Sequence, residues 1–132
     1  MSDSHLPFAI VINNEKVVEH DRNKRLTGLQ RRFLDEMDQK MATGIQLGSE
    51  KIDGPDTLQR AQYVANTLIT ALLRENDSLA AACCSYLARR LPDLQQVKAR
   101  TEENGATMIE LVFDRSFEKA STEKPVNFIK KS

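Results

Sequence analysis

The stretch from Gly54 to Pro92 constrains the fold most, because it has the pattern of two consecutive amphipathic helices with a tight break between them. Gly54-Pro55-Asp56 is a helix start, with Pro at the first helical position and an acidic residue near the positive end of the helix dipole. Asn76-Asp77 breaks the pattern, Asn as a left-handed cap and Asp as the N-cap of the next helix, which Pro92 ends. Such a short connection predicts an antiparallel helical hairpin over about 55–75 and 78–91.

An earlier helix is predicted over about 22–42, with Asp21 as its N-cap, although Gly28 weakens its first turns and leaves a later start open. Its apolar residues recur at three- and four-residue spacing and are expected to form one buried face: Leu26, Leu29, Phe33, Met37 and Met41. Residues 43–54 contain three glycines and are predicted to form a loop packed on the surface.

Two β-hairpins are predicted, over about 8–19 and 96–114. In the first, the apolar run from Phe8 to Ile12 is followed by the turn signal Asn13-Asn14. In the second, a three-residue loop with Gly105 left-handed pairs Val97 with Leu111 and Ala99 with Ile109. This register places the apolar residues on one face, whereas a two-residue Asn-Gly turn would mix the faces.

These elements predict an α+β fold in which three helices pack with two β-hairpins. We expect a single domain over 1–115 and a flexible polar tail over 116–132. A chain of 132 residues with 40% hydrophobic residues can bury a core without metal or disulfides. The longest apolar stretch, 79–84, is too short for a membrane span, and the start lacks the pattern of a signal peptide. A cytoplasmic protein with no membrane contact is predicted.

The residues that usually carry chemistry do not form a recognisable site. The chain has only two histidines: His5 lies in a terminus that is expected to fray, and His20, between Glu19 and Asp21, is interpreted as a solvated turn residue. Cys83 and Cys84 fall on the apolar arc of a helix and are interpreted as buried small hydrophobic residues. The carboxylates Asp35, Glu36 and Asp38 are interpreted as partners of nearby basic residues on a solvated face. We therefore expect no catalytic residue, no cofactor, no metal and no enzymatic activity, unless scattered residues converge in space.

A second functional hypothesis is nucleic-acid binding. A helical hairpin followed by a β-hairpin has the element order of a winged helix, with the helix over 78–91 in the major groove. Basic residues cluster around the first helix and around the third helix with its hairpin: Arg22, Lys24, Arg25, Arg31, Arg32, Arg89, Arg90, Lys98 and Arg100. Three features argue against this hypothesis. The proposed recognition helix begins with small apolar residues, and the wing tip carries the acidic residues Glu102 and Glu103. In addition, the formal net charge of the chain is zero.

The preferred hypothesis is a protein–protein interaction module that self-associates. The second and third predicted helices each carry about 200° of apolar or small side chains, more than a two-layer fold covers. The excess faces either a second copy of the chain or other segments of the same monomer. In the first case a symmetric dimer is the commonest outcome, with Ala80, Ala81, Ala88 or Tyr63 near its edge.

Overall fold

A computed structural model of the chain describes residues 7–21 and 26–114. In this part the elements follow the order β1 (Phe8–Ile12), β2 (Glu15–His20), α1 (Gly28–Ala42), β3 (Ile45–Leu47), β4 (Glu50–Ile52), α2 (Thr57–Leu73), α3 (Asp77–Arg90), β5 (Gln96–Thr101) and β6 (Thr107–Val112). The described residues thus form three helices and two sheets, which confirms the α+β class. They divide into two compact units, a helical unit over 26–92 and a sheet unit formed by 7–21 and 93–114.

Side-chain caps determine where the first two helices begin. Thr27 is the N-cap of α1: its hydroxyl accepts from the Gln30 backbone N–H at 3.1 Å, and the Gln30 side chain accepts from the Thr27 N–H at 2.8 Å. Asp56 and Gln59 form the same reciprocal pair at the start of α2. The predicted start of the first helix near residue 22 is therefore wrong, although 22–25 lie outside the described residues. Pro55 also precedes the cap instead of occupying the first helical position.

In the connection between α2 and α3, the left-handed residue and the N-cap each lie one position earlier than predicted. Asn76, not Asp77, is the N-cap of α3, and its side-chain oxygen accepts from the Leu79 N–H at 3.2 Å. Glu75 takes the left-handed conformation, with φ 59°. Asp38 contacts both Arg60 in the first turn of α2 and Arg90 at the end of α3. Because these two ends lie together, the helical hairpin is antiparallel, as predicted.

The region between α1 and α2 differs from the prediction of a loop. Residues 45–52 form a two-stranded antiparallel hairpin, in which Ile45 pairs with Ile52 and Leu47 with Glu50. Gly48 lies in its turn with φ 61°, a left-handed conformation that suits glycine. Three-residue strands are too short to show an alternating pattern, so the sequence carried no strand signal. The expected packing is present at Ile45, which is 5% exposed.

The sheet unit confirms both predicted hairpins and combines them in one sheet of order β2-β1-β5-β6. Asn13 and Asn14 have φ of 50° and 71°, as a two-residue hairpin turn with right-handed twist requires. Val97 pairs with Leu111 and Ala99 with Ile109, the predicted register, and Gly105 has φ 90°. The parallel pairing of β1 with β5, which joins the two hairpins, was not predicted.

Among the described residues, no helix is both long enough and apolar enough to cross a membrane. The polar tail over 116–132 lies outside the described residues. The expectations of a single domain over 1–115 and of a cytoplasmic location stay predictions.

Candidate functional site

An open groove of about 650 Å³ lies between α1 and α3 in the helical unit. One wall is the first half of α1, where Leu29, Phe33 and Leu34 line it. The other wall is the first half of α3, which contributes Leu79 and small residues, among them Ala81 and Ala82. The first halves of both helices line the groove, and Asp38, further along α1, contacts Tyr86 and Arg90 near the end of α3, so α1 and α3 run in the same direction. The groove is largely apolar, and its polar lining residues include one basic and one acidic side chain.

Side-chain size explains why this space is open. Residues 78–85 of α3 contain no side chain larger than Leu79, because they are otherwise Ser, Ala and Cys. Cys83 and Cys84 point into the core and are 0% and 4% exposed, so apart from Leu79 the groove side of α3 presents only Ala and Ser. Such short side chains cannot fill the space beneath the larger residues of α1. The run of small side chains in the first half of α3 thus produces a concave surface.

The apolar residues of α1 do not all face the core. Leu34 and Met41 are buried at 3% and 4% exposure, whereas Leu29 is 72% and Phe33 42% exposed. The expected buried face over Leu29 and Phe33 is therefore wrong, and the buried stripe begins at Leu34 instead. Because Leu29 and Phe33 line the groove, they form an exposed apolar edge along it. Periodicity identified the apolar residues, but it cannot show which of them a neighbouring helix covers.

A cluster centred on Asp38 joins the three helices next to the groove. Its carboxylate accepts hydrogen bonds from Tyr86 at 2.5 Å, from Arg60 at 3.1 Å and from two nitrogens of Arg90, at 2.7 and 3.0 Å. The guanidinium of Arg90 also lies 5.2 Å from the centre of the Tyr86 ring. The partners of Asp38 thus come from α2 and α3, so its interpretation as a surface partner of the basic residues of α1 is wrong. The cluster fixes α1 against α3 directly beyond Glu36 and Ser85, where the groove ends.

The charges of this cluster stabilise the ionised carboxylate. Burial alone would raise the pKa of Asp38, but the hydrogen bonds from Tyr86, Arg90 and Arg60 and the charge of Arg90 outweigh it, so the pKa lies below its usual value. Burial and the bond to this carboxylate raise the pKa of Tyr86 to about 12. Asp38 is therefore an anion and Tyr86 a neutral donor at physiological pH. Every donor that points at Asp38 is thus matched to a charged acceptor, which indicates a structural role.

Cys83 and Cys84 are both free and buried, which confirms that they are core residues. Burial raises the pKa of Cys83 to about 11 and, with the neighbouring thiol, that of Cys84 to about 12. Both thiols are therefore protonated at neutral pH, whereas nucleophilic chemistry needs the thiolate. In the described part of the chain, no three His, Cys, Asp or Glu side chains are grouped as metal ligands.

The basic residues proposed for nucleic acid fall in different places. Arg22, Lys24 and Arg25 lie outside the described residues. Arg31 and Arg32 are exposed on α1, and Arg89 is exposed at the end of α3. Lys98 and Arg100 belong to the sheet unit, so six of the nine are described.

Two of these six form ion pairs. Arg90 pairs with Asp38 at 2.7 Å and lies 3.6 Å from Asp35, and Arg100 pairs with Glu102 at 3.4 Å. The winged-helix hypothesis stays a prediction. Comparison of the chain with models of protein families, with curated proteins and with solved structures found no match.

Proposed function

We propose that this chain is a non-catalytic protein–protein interaction module that self-associates through the groove between α1 and α3. The observation that carries the proposal is the pair Leu29 and Phe33, which are 72% and 42% exposed along an apolar groove of about 650 Å³. Large apolar side chains that are exposed together along a concavity are typical of binding surfaces. Covering each with a partner removes apolar area from water and favours association by about 1–2 kcal/mol.

The shape of this surface favours a second copy of the chain as the occupant. The same face contains projecting residues, Leu29 and Phe33, and a recess lined by Ala81 and Ala82. A symmetric interface needs both kinds of feature on one face, because each copy gives and receives the same contacts. The zero net charge of the chain means that two copies do not repel each other through their overall charge.

The proposed location differs from the one that the sequence favoured. The apolar residues of α2 are mostly buried within the monomer, as Ala61, Val64 and Leu68 show with 1% exposure or less. Among the expected edge residues Ala81 lines the groove, whereas Ala80 is buried at 6% exposure. Ala88 is half-buried, and Tyr63, on α2, is 36% exposed. The exposed apolar surface that supports self-association thus belongs to α1 and the start of α3.

Sedimentation equilibrium of the full chain across micromolar concentrations tests this proposal. We expect a monomer–dimer equilibrium in which Phe33→Ala raises the dissociation constant about 30-fold or more, because the lost contact occurs twice in a symmetric dimer. Leu73→Ala is the matched control, since Leu73 is 65% exposed but lies on α2 and does not line the groove. A monomer mass at all concentrations, or equal effects of both substitutions, would contradict the proposal.

A further inference from the structure

The groove also carries charges that specify how two copies meet. Arg32 and Glu36 line it on the same helix, four residues apart, and both are exposed. In the part of the chain that the structure describes, neither of them forms an ion pair, whereas Asp38 two residues further along is fully engaged. The groove therefore has one unpaired positive charge and one unpaired negative charge on the same wall.

We propose that the groove binds α1 of a second copy antiparallel to its own, with Arg32 of each copy paired with Glu36 of the other. This inference rests on the proposed self-association and adds its orientation and its charge contacts. A two-fold axis between positions 32 and 36 relates residue 32 of one helix to residue 36 of its partner, so one axis forms both ion pairs. Phe33 lies next to this axis, at the centre of the interface, where water is excluded most completely.

The charge arrangement favours a second copy over other occupants. A groove built for an acidic or a basic partner would carry one sign of charge along its edge. Here the two signs are equal, so the surface is complementary to itself when it is turned by 180°. A parallel arrangement would place Arg32 opposite Arg32 and Glu36 opposite Glu36, which is repulsive. The charges thus select the antiparallel orientation as well as the partner.

A charge-reversal cycle in the full chain tests this inference. Arg32→Glu and Glu36→Arg each replace two attractive pairs by two repulsive ones, so each should raise the dimer dissociation constant about tenfold or more at low salt. The double variant Arg32→Glu/Glu36→Arg restores opposite charges and should return to within about threefold of the original value. Arg31→Glu makes the same charge change at the neighbouring position, which does not line the groove, and should have little effect.

The outcomes separate this inference from the proposed function. If the chain dimerises and Phe33→Ala disrupts the dimer, but the single reversals have no effect or the double variant is not restored, the antiparallel pairing is wrong while self-association stands. If the unaltered chain is monomeric throughout, both proposals fail. Far-UV circular dichroism confirms that each variant is folded, which is expected because both side chains are exposed.

Discussion

Asp38 receives hydrogen bonds from residues that are far away in the sequence. Arg60 lies 22 residues later, and Tyr86 and Arg90 lie 48 and 52 residues later. The carboxylate is only one quarter exposed, so it depends on these donors to replace water. Its pKa below the usual value means that ionised Asp38 stabilises the folded state.

Replacing Asp38 with Asn should therefore lower the free energy of unfolding at pH 7 by about 1–3 kcal/mol, because two guanidinium groups lose their charged acceptor. Since the folded pKa is lower than the unfolded one, the contribution of Asp38 is present above about pH 4 and is lost as the pH falls further. The difference in stability between the two proteins should accordingly shrink below pH 4. Urea unfolding monitored by circular dichroism at pH 7 and pH 3 measures it.

Asp35→Asn is the control for this prediction. The Asp35 side chain is 72% exposed and lies 3.6 Å from Arg90, so its removal should change stability by no more than about 0.5 kcal/mol. Equal losses for the two substitutions, or a difference that does not depend on pH, would contradict a structural role for the cluster.

At the scale of single residues, the sequence predicted which side chains are buried better than it predicted which charged side chains form ion pairs. Cys83 and Cys84 could be assigned to the core because their neighbours in the same helix set the apolar arc. The partners of Asp38 could not be predicted, because ion pairs within one helix are local and explain its charge equally well. A carboxylate between basic residues looks the same in sequence whether it meets its own helix or two others.

At the scale of elements, the sequence predicted structure best where two independent criteria had to agree. The register of β5 with β6 followed from requiring that the loop geometry and the apolar face agree, and the structure has this register. The spacing of apolar residues in α1 offers no such second criterion, so it predicts that Leu29 and Phe33 are buried, although the side chains of α3 are too short to cover them. The hairpin of β3 and β4 was missed because each strand has only three residues.

The loop that sets the register of β5 and β6 can be tested at Gly105. Its φ of 90° is strained for any residue with a Cβ, although a Cβ there would meet no atom within 4 Å. Gly105→Ala should therefore destabilise the fold by about 1–2 kcal/mol through the backbone conformation alone. Gly28→Ala, in α1 and also without neighbours, should be neutral or stabilise by up to about 1 kcal/mol. Chemical denaturation compares the two, and a loss at Gly28 as large as at Gly105 would contradict this explanation.

At the scale of the whole molecule, the sequence correctly indicated the fold class, but it did not indicate that α1 carries exposed apolar residues, Leu29 and Phe33. The apolar arcs of α2 and α3 are wide because residues on several sides of these two helices are buried. Leu68 and Leu87, for example, are 0% exposed. The groove depends on the contrast between small residues on α3 and large ones on α1. That contrast becomes visible only when the two helices are placed side by side, since they are separated by 34 residues, 43–76.

The charge distribution of the whole chain leads to a prediction about nucleic acid. A site for duplex DNA needs several cations that are free to contact phosphates, but Arg90 is held by Asp38 and Arg100 by Glu102. With 19 basic and 19 acidic residues, no overall field attracts a polyanion. Fluorescence anisotropy with a random duplex should accordingly detect no binding at about 150 mM salt.

The salt dependence makes this prediction decisive. If the basic residues did form a site, log K would fall with log salt by about 0.9 per phosphate contact, and Arg89→Ala and Arg100→Ala would each reduce that slope by about one. Arg89 is exposed at the end of α3, and the first half of that helix presents Ala and Ser, which offer few hydrogen bonds to bases. A micromolar complex at about 150 mM salt that weakens on both substitutions would therefore favour nucleic-acid binding over self-association.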